Sequence, residues 1–234
     1  MHKHRIISVS VLCIFIPAVL ISGVFLAKQK QYLPVSLIIA AVSMLPFFLS
    51  LERKKLQVRE LVIMASVVAV SVASRAAFFF LPQIKPMCAL LIATAIAFGP
   101  EFGFVSAALS VLLSNLIFGQ GIWTPFQMTG MGLTVFLCSL IFYRSKRKNR
   151  FLIAIVGGLL CFAVYGAVVD LSSVFMFVSE INIKSALAVF ASGVPFNLIH
   201  GLTTAVILAI AQSVINEKLE RIKIKYGLFG RKIN

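Results

Sequence analysis

Residues 151–178 read FLIAIVGGLLCFAVYGAVVDLSSVFMFV, a run of 28 residues with a single charged side chain, Asp170. A helix needs about 20 apolar residues to cross a bilayer, and this run is long enough. Apolar runs of the same kind lie at residues 6–27, 32–51, 60–81, 86–99, 102–117, 128–143 and 187–215. The pattern therefore predicts an all-α integral membrane protein with eight membrane helices.

The composition supports this prediction. The 234 residues are 60% hydrophobic with a mean hydropathy of +1.03, whereas soluble domains are about 45–50% apolar. The net charge of +15 would suggest nucleic acid if it covered one soluble face. Here the basic residues flank the apolar runs, so no nucleic-acid partner is predicted. The four cysteines lie inside apolar runs without metal-ligand spacing, and neither metal nor cofactor is predicted.

The basic residues also predict an orientation. Cytoplasmic loops of membrane proteins carry an excess of lysine and arginine. With eight helices and a cytoplasmic N-terminus, 17 of the 22 basic residues fall in segments 1–5, 52–59, 144–150 and 216–234. We therefore expect a multi-pass protein of the cell membrane with both termini in the cytoplasm.

The charged stretch 52–59 divides the chain. Residues 1–55, which include the first part of this stretch, are predicted to form a two-helix hairpin without charge inside its spans. The first run could imitate a signal peptide, but it is too long and lacks an A-x-A site, so a retained helix is expected. Residues 56–216 are predicted to form a six-helix unit. This unit contains the alanine stripe, the charged residues inside spans and the polar loops that are described next. Residues 217–234 form a basic cytoplasmic tail.

The helix predicted at 60–81 carries alanines four residues apart, which lie along one stripe: Ala65, Ala69, Ala73 and Ala77. In lipid, stripes of small residues let another helix approach closely. The partner could be a helix of the same bundle or a separate subunit.

Two charged residues lie inside predicted spans. Arg75 must reach the interface, face a polar cavity or meet an acid, because a central arginine costs at least about 2.5 kcal/mol to insert. Asp170 lies in the outer half of its span and is the natural candidate partner. Asn197 and His200 share one face of the last helix.

The outer loops combine aromatic and hydrogen-bonding side chains, which suits a cap over a ligand with planar amide or heteroaromatic parts. One loop reads FFFLPQIKP at 78–86, and the other reads NLIFGQGIWTPFQM at 115–128. Taken alone, Trp123 could be an interfacial anchor. The candidate substrate-binding residues are Arg75, Phe79, Gln83, Lys85, Asn115, Gln120, Trp123, Thr124, Gln127, Asp170 and Asn197.

No motif for ATP binding, zinc hydrolysis or a catalytic triad is found. We therefore expect no catalytic residues and no enzyme activity.

Residues 56–216 resemble the substrate-binding (S) components of energy-coupling factor (ECF) transporters. The likeness rests on the alanine stripe, on the turn FGPEFGF at 98–104 and on the run SNLIFGQGIWTPFQM at 114–128. The N-terminal hairpin lies outside it.

The resemblance implies capture of a vitamin or related micronutrient from outside, and delivery with a transmembrane coupling subunit and two ATPases. It implies that the alanine stripe docks the coupling subunit and that the loops at 78–86 and 118–128 cap the substrate. The loop pattern is most similar to that of S components for cobalamin-type substrates.

Two other classes stay open. A secondary transporter usually shows matching halves, and none is visible. A membrane-embedded enzyme needs convergent catalytic residues, yet Arg75, Asp170 and His200 are scattered along the chain.

Overall fold

The computed structural model describes residues 57–145 and 149–228, so the predicted hairpin of residues 1–55 lies outside the described part. Seven helices follow one another there: α1 (Val58–Ala77), α2 (Met87–Phe98), α3 (Pro100–Phe118), α4 (Thr124–Phe142), α5 (Arg150–Leu160), α6 (Gly166–Phe177) and α7 (Ile183–Lys225). One π-helical turn, Cys161–Tyr165, joins α5 to α6 into a continuous apolar span.

The described residues confirm an all-α membrane fold and contain no strand. Within residues 57–145 and 149–228, five spans are long and apolar enough to cross a membrane, counting Arg150–Phe177 as one. Helix α2 has 12 residues and measures about 18 Å, so it is too short to cross the full hydrocarbon layer by itself. It lies at the centre of the bundle, where nearly all of its side chains are buried.

The turn between α2 and α3 is as tight as its sequence predicts. Gly99 alone separates the two helices, with a φ of 115° that favours glycine. Pro100 then begins α3. Proline is favourable there, because the N–H at the first position of a helix would have no hydrogen-bond partner within the helix. Close packing continues beyond the turn, since a Cβ on Gly103 would lie 2.2 Å from the Cβ of Ala95.

Several helix ends differ from the predicted ones. Helix α1 ends at Ala77 instead of residue 81, because residues 78–86 form turns that contain two prolines. Helix α4 begins at Thr124 instead of residue 128, since Pro125 suits a first helical turn. Helix α7 continues to Lys225 across the expected boundary at residue 216, where Glu217 and Arg221 form an ion pair one turn apart.

The far end of α7 is tied to the bundle by Lys223. Its Nζ donates a 2.6 Å hydrogen bond to the carbonyl of Ala97, in the last turn of α2. The same ammonium lies 5.3 Å from the centroid of the Tyr143 ring. A cation is favourable at a helix C-terminus, where the carbonyl ends of the peptide dipoles collect. We call this the basic end of the bundle, and the end with loops 78–86, 119–123 and 178–182 the loop end.

Candidate functional site

A network of polar side chains connects α1, α3 and α4 at the loop end. Asn115, near the end of α3, is its centre and is 1% exposed. Its Oδ1 accepts a 2.8 Å hydrogen bond from Arg75 Nη1. Its Nδ2 donates to Thr124 Oγ1 at 3.1 Å and to Gln127 Oε1 at 2.9 Å. All the hydrogen-bonding groups of this buried amide except one carbonyl lone pair are therefore engaged.

The loop between α3 and α4 is fixed by the same network. Thr124 Oγ1 donates a 2.7 Å hydrogen bond to Gln120 Oε1, and Gln120 Nε2 donates to the carbonyl of Leu112 at 3.1 Å. The ring of Trp123 covers Gly121 so closely that a Cβ there would lie 2.4 Å from it. A side chain at this position would displace the ring of Trp123. We call Arg75, Ser114, Asn115, Gln120, Thr124 and Gln127 the Asn115 network.

Arg75, in the last turn of α1, points into this network instead of snorkelling to the interface. Besides Asn115, its Nη1 donates to Ser114 Oγ. The guanidinium carbon lies 5.3 Å from the centroid of the Phe118 ring, which stacks on Phe79 at 4.8 Å. Sequence reasoning did not single out Ser114 or Phe118 as binding residues, although both lie within the quoted motif.

The loop 78–86 adds two further candidates. Gln83 is half-buried and adopts a φ of 58°, a left-handed conformation that is uncommon outside glycine. Lys85 is also half-buried. Burial, and after it the positive charge of Arg75, lower the pKa of the Lys85 ammonium below its usual value.

Asp170 and Asn197 form a separate pair between α6 and α7. Asn197 Nδ2 donates a 2.8 Å hydrogen bond to Asp170 Oδ2. Glycines make room for both side chains, since a Cβ on Gly193 would lie 2.3 Å from Asp170 Oδ1 and one on Gly166 2.6 Å from Asn197. Asp170 is therefore not the partner of Arg75, which donates its hydrogen bonds to Ser114 and Asn115. The two charged residues belong to two separate polar groups.

Two residues outside the candidate set, Tyr165 and His200, contact each other. Tyr165 ends the π-helical turn. Its ring meets that of His200 edge to face, with centroids 5.1 Å apart. His200 is buried, and its Nε2 has no hydrogen-bond partner among the described residues. Sequence reasoning missed Tyr165 because a π-helical turn leaves no clear signal in an apolar run, although such turns often mark functional sites.

The alanine stripe lies on the opposite face of α1 from the buried residues Met64, Val68 and Ser71. Its four alanines are exposed with respect to the described part of the chain. Helices α2 to α7 therefore do not cover the stripe.

Comparison with known proteins assigns the family. Residues 55–216 match the model of the family described as the ECF-type riboflavin transporter, S component. The chain belongs to this family. No curated protein and no solved structure matches the chain. The match confirms the resemblance to ECF S components, a transporter family and not an enzyme family. A cobalamin-type substrate is not confirmed, and the family's name points to riboflavin instead.

Proposed function

We propose that this S component captures riboflavin or a closely related flavin at the loop end, between the Asn115 network and the Tyr165–His200 pair. The single observation that carries the S-component function is the family match over residues 55–216. The ligand is proposed from the family's name and from the chemistry of the loop end.

The hydrogen-bonding groups that remain open at the loop end favour such a ligand. Among the described residues, Gln127 Nε2 has no hydrogen-bond partner, while its Oε1 accepts a hydrogen bond from Asn115. Arg75 uses only Nη1, which leaves the N–H groups of Nη2 and Nε. These are donors, and a flavin ring presents carbonyl oxygens and ring nitrogens as acceptors. The ring's flat faces suit Tyr165, Trp123 and Phe118.

The orientation follows from the distribution of charge. The predicted cytoplasmic segments carry most of the basic residues, and their described parts at 144–145, 149–150 and 216–225 lie at the basic end. The loop end then faces outward, toward the source of a nutrient. Loops 78–86 and 119–123 would cover the bound flavin.

The proposed partners are a transmembrane coupling subunit and two ATPases. The chain has no ATP-binding motif, which agrees with ATP hydrolysis by separate chains. The exposed alanine stripe supports docking of a coupling-subunit helix, because small residues allow close backbone approach in lipid.

Docking can be tested by co-purification. We expect Ala69→Leu and Ala73→Leu each to abolish co-purification with co-expressed coupling subunit and ATPases, because a leucine side chain holds the two backbones apart. Riboflavin binding by the isolated chain should stay unchanged, since both residues lie away from the Asn115 network.

The matched control is Ala191→Leu, an exposed alanine on α7. This variant should keep both properties. Retention of the complex in both stripe variants would contradict the proposed docking face, whereas uptake by the isolated chain driven by an ion gradient would contradict the S-component function.

A further inference from the structure

Helix α7 is much longer than the hydrocarbon layer of a membrane is thick. Its 43 residues measure about 65 Å, whereas the hydrocarbon layer measures about 30 Å. The run between Lys184 and Glu217 contains no acidic residue, lysine or arginine, and six of the nine residues from Glu217 to Lys225 are charged. The last turns of α7 therefore lie beyond the hydrocarbon layer, at the basic end.

One side of these last turns is basic and exposed. Lys218, Arg221 and Lys225 follow one another at intervals of three and four residues, so they share one side of the helix. All three are exposed. Lys223 lies on the opposite side, where it is buried and donates its hydrogen bond to the carbonyl of Ala97. We call Lys218, Arg221 and Lys225 the α7 basic patch.

The acids next to the α7 basic patch leave most of its charge free. Glu217 pairs with Arg221, but the two side chains are 64% and 76% exposed, and an exposed ion pair contributes little. Neither Lys218 nor Lys225 forms a hydrogen bond or an ion pair with any residue in 57–145 or 149–228. Two of the three cations are therefore available to a partner.

The other predicted cytoplasmic segments of the chain do not suit this patch as partners. Segments 1–5, 52–59 and 144–150 together contain eleven basic residues and a single acid, Glu52. Like charges repel across short distances in water. Charge complementarity thus favours an anion from outside the chain.

The α7 basic patch continues a side of the helix that is exposed within the membrane span. Val214 and Ile210 lie one and two turns before Lys218 and are 54% and 71% exposed. A side that is apolar along the span and basic just beyond it matches lipid chains followed by lipid headgroups. The alanine stripe lies on a different helix, since α1 packs on α2 and α3, whereas α7 packs on α2, α5 and α6.

We propose that the α7 basic patch binds the headgroups of anionic phospholipids in the cytoplasmic leaflet. Lysine and arginine donate charge-assisted hydrogen bonds to phosphate oxygens. Each cation near an anionic membrane surface strengthens binding by about fivefold. A zwitterionic headgroup would bring its own cation to the patch, so a lipid with net negative charge is preferred. Because Lys223 holds the same turns to α2, the bound lipid would fix the basic end of the whole bundle at the membrane surface.

The test is native mass spectrometry of the full chain, purified in mild detergent and titrated with phosphatidylglycerol or with phosphatidylcholine of the same acyl chains. We expect the first phosphatidylglycerol to bind at least about tenfold more tightly than phosphatidylcholine. The double variant Lys218→Gln with Lys225→Gln leaves the pair of Glu217 and Arg221 intact. It should lower the affinity for phosphatidylglycerol by about tenfold or more, and that for phosphatidylcholine by less than about twofold.

Two further variants control for charge and position. Lys218→Arg with Lys225→Arg keeps both charges and should retain the preference for phosphatidylglycerol. Lys184→Gln removes an exposed cation from the other end of α7 and should change neither lipid affinity. Riboflavin binding should stay normal in all these variants, since the patch lies at the end of the bundle opposite to the Asn115 network, and this measurement also shows that each variant is folded.

Three outcomes would overturn the inference. The first is equal affinity of the wild type for the two lipids. The second is an unchanged affinity of the double glutamine variant for phosphatidylglycerol. The third is that this variant keeps its lipid affinity but no longer co-purifies with the coupling subunit and ATPases, which would assign the patch to an acidic protein surface. Failure of the wild type to bind riboflavin would instead overturn the proposed ligand and leave the lipid site standing.

Discussion

Asn115→Leu is expected to lower the affinity for riboflavin by at least about 100-fold, which corresponds to about 2.7 kcal/mol. The side chain of Asn115 holds groups from three other positions, Arg75, Thr124 and Gln127. Leucine has nearly the same size but no hydrogen-bonding group. Each buried group left without a partner costs about 1–3 kcal/mol, so these side chains would turn toward each other or toward water. The site would then no longer present preorganised donors to the ligand.

The measurement is a fluorescence titration with riboflavin, together with a thermal unfolding curve. The matched control is Asn149→Ala at the basic end. Asn149 caps α5 by accepting hydrogen bonds from the backbone N–H groups of Phe151 and Leu152, and loss of a cap costs about 1 kcal/mol of stability. This variant should be slightly less stable but should bind riboflavin normally. Normal binding by Asn115→Leu would contradict the proposed site.

Gly158→Leu is expected to have the largest effect on stability. Helices α5 and α7 touch through their backbones at this position. A Cβ on Gly158 would lie 2.8 Å from the carbonyl oxygen of Gly201 and 2.8 Å from the Cβ of Ala205. Neither neighbour can move without shifting the helix that carries it. Overpacking costs about 1–3 kcal/mol in an adaptable core, and the rigid backbone places this case at or above the upper value.

The expected result is a decrease of the midpoint of thermal unfolding by roughly 6–12 °C, or failure to accumulate in the membrane. Riboflavin binding should weaken as well, because α7 carries His200 of the proposed site. As a control, Leu159→Ala changes the neighbouring residue, whose side chain is 61% exposed. Its effect should be small. Equal stability of Gly158→Leu and wild type would contradict the close contact of α5 and α7.

The sequence predicts the spans well because burial in lipid is a local property of each run. The long run at 151–178 and the tight turn at Gly99 both appear where hydropathy and proline position indicate. Helix ends are less predictable. Helix α7 continues past residue 216, where the exposed ion pair of Glu217 and Arg221 stabilises a polar stretch that hydropathy does not mark as helical. Residues 1–55 remain a predicted hairpin.

In the candidate site, contacts between residues close in the sequence could be predicted, whereas contacts between distant segments could not. The motif at 114–128 identifies Asn115, Thr124 and Gln127 because their side chains meet across one short loop. The partner of Arg75 could not be inferred in this way. It depends on how α1 packs against α3, about 40 positions away in the chain, and charge alone suggested Asp170.

Tyr165 and His200 illustrate a second limit. Tyr165 is the last residue of a π-helical turn, and its ring contacts that of His200 on α7, 35 positions away in the chain. In sequence, the tyrosine is one aromatic residue within an apolar run. The alanine stripe, in contrast, is identified by its spacing in the sequence alone. That the described helices leave it exposed is seen only from the packing of α1.

The central claim is that this chain is an S component that binds a flavin by itself. The most direct test is mass spectrometry of the small molecules that stay bound when the chain is purified alone in mild detergent from cells that contain riboflavin. We predict one flavin per chain, riboflavin or a closely related flavin, and its loss in Asn115→Leu. A bound micronutrient of another class, or a folded chain that retains no flavin and binds none when riboflavin is added, would contradict the account.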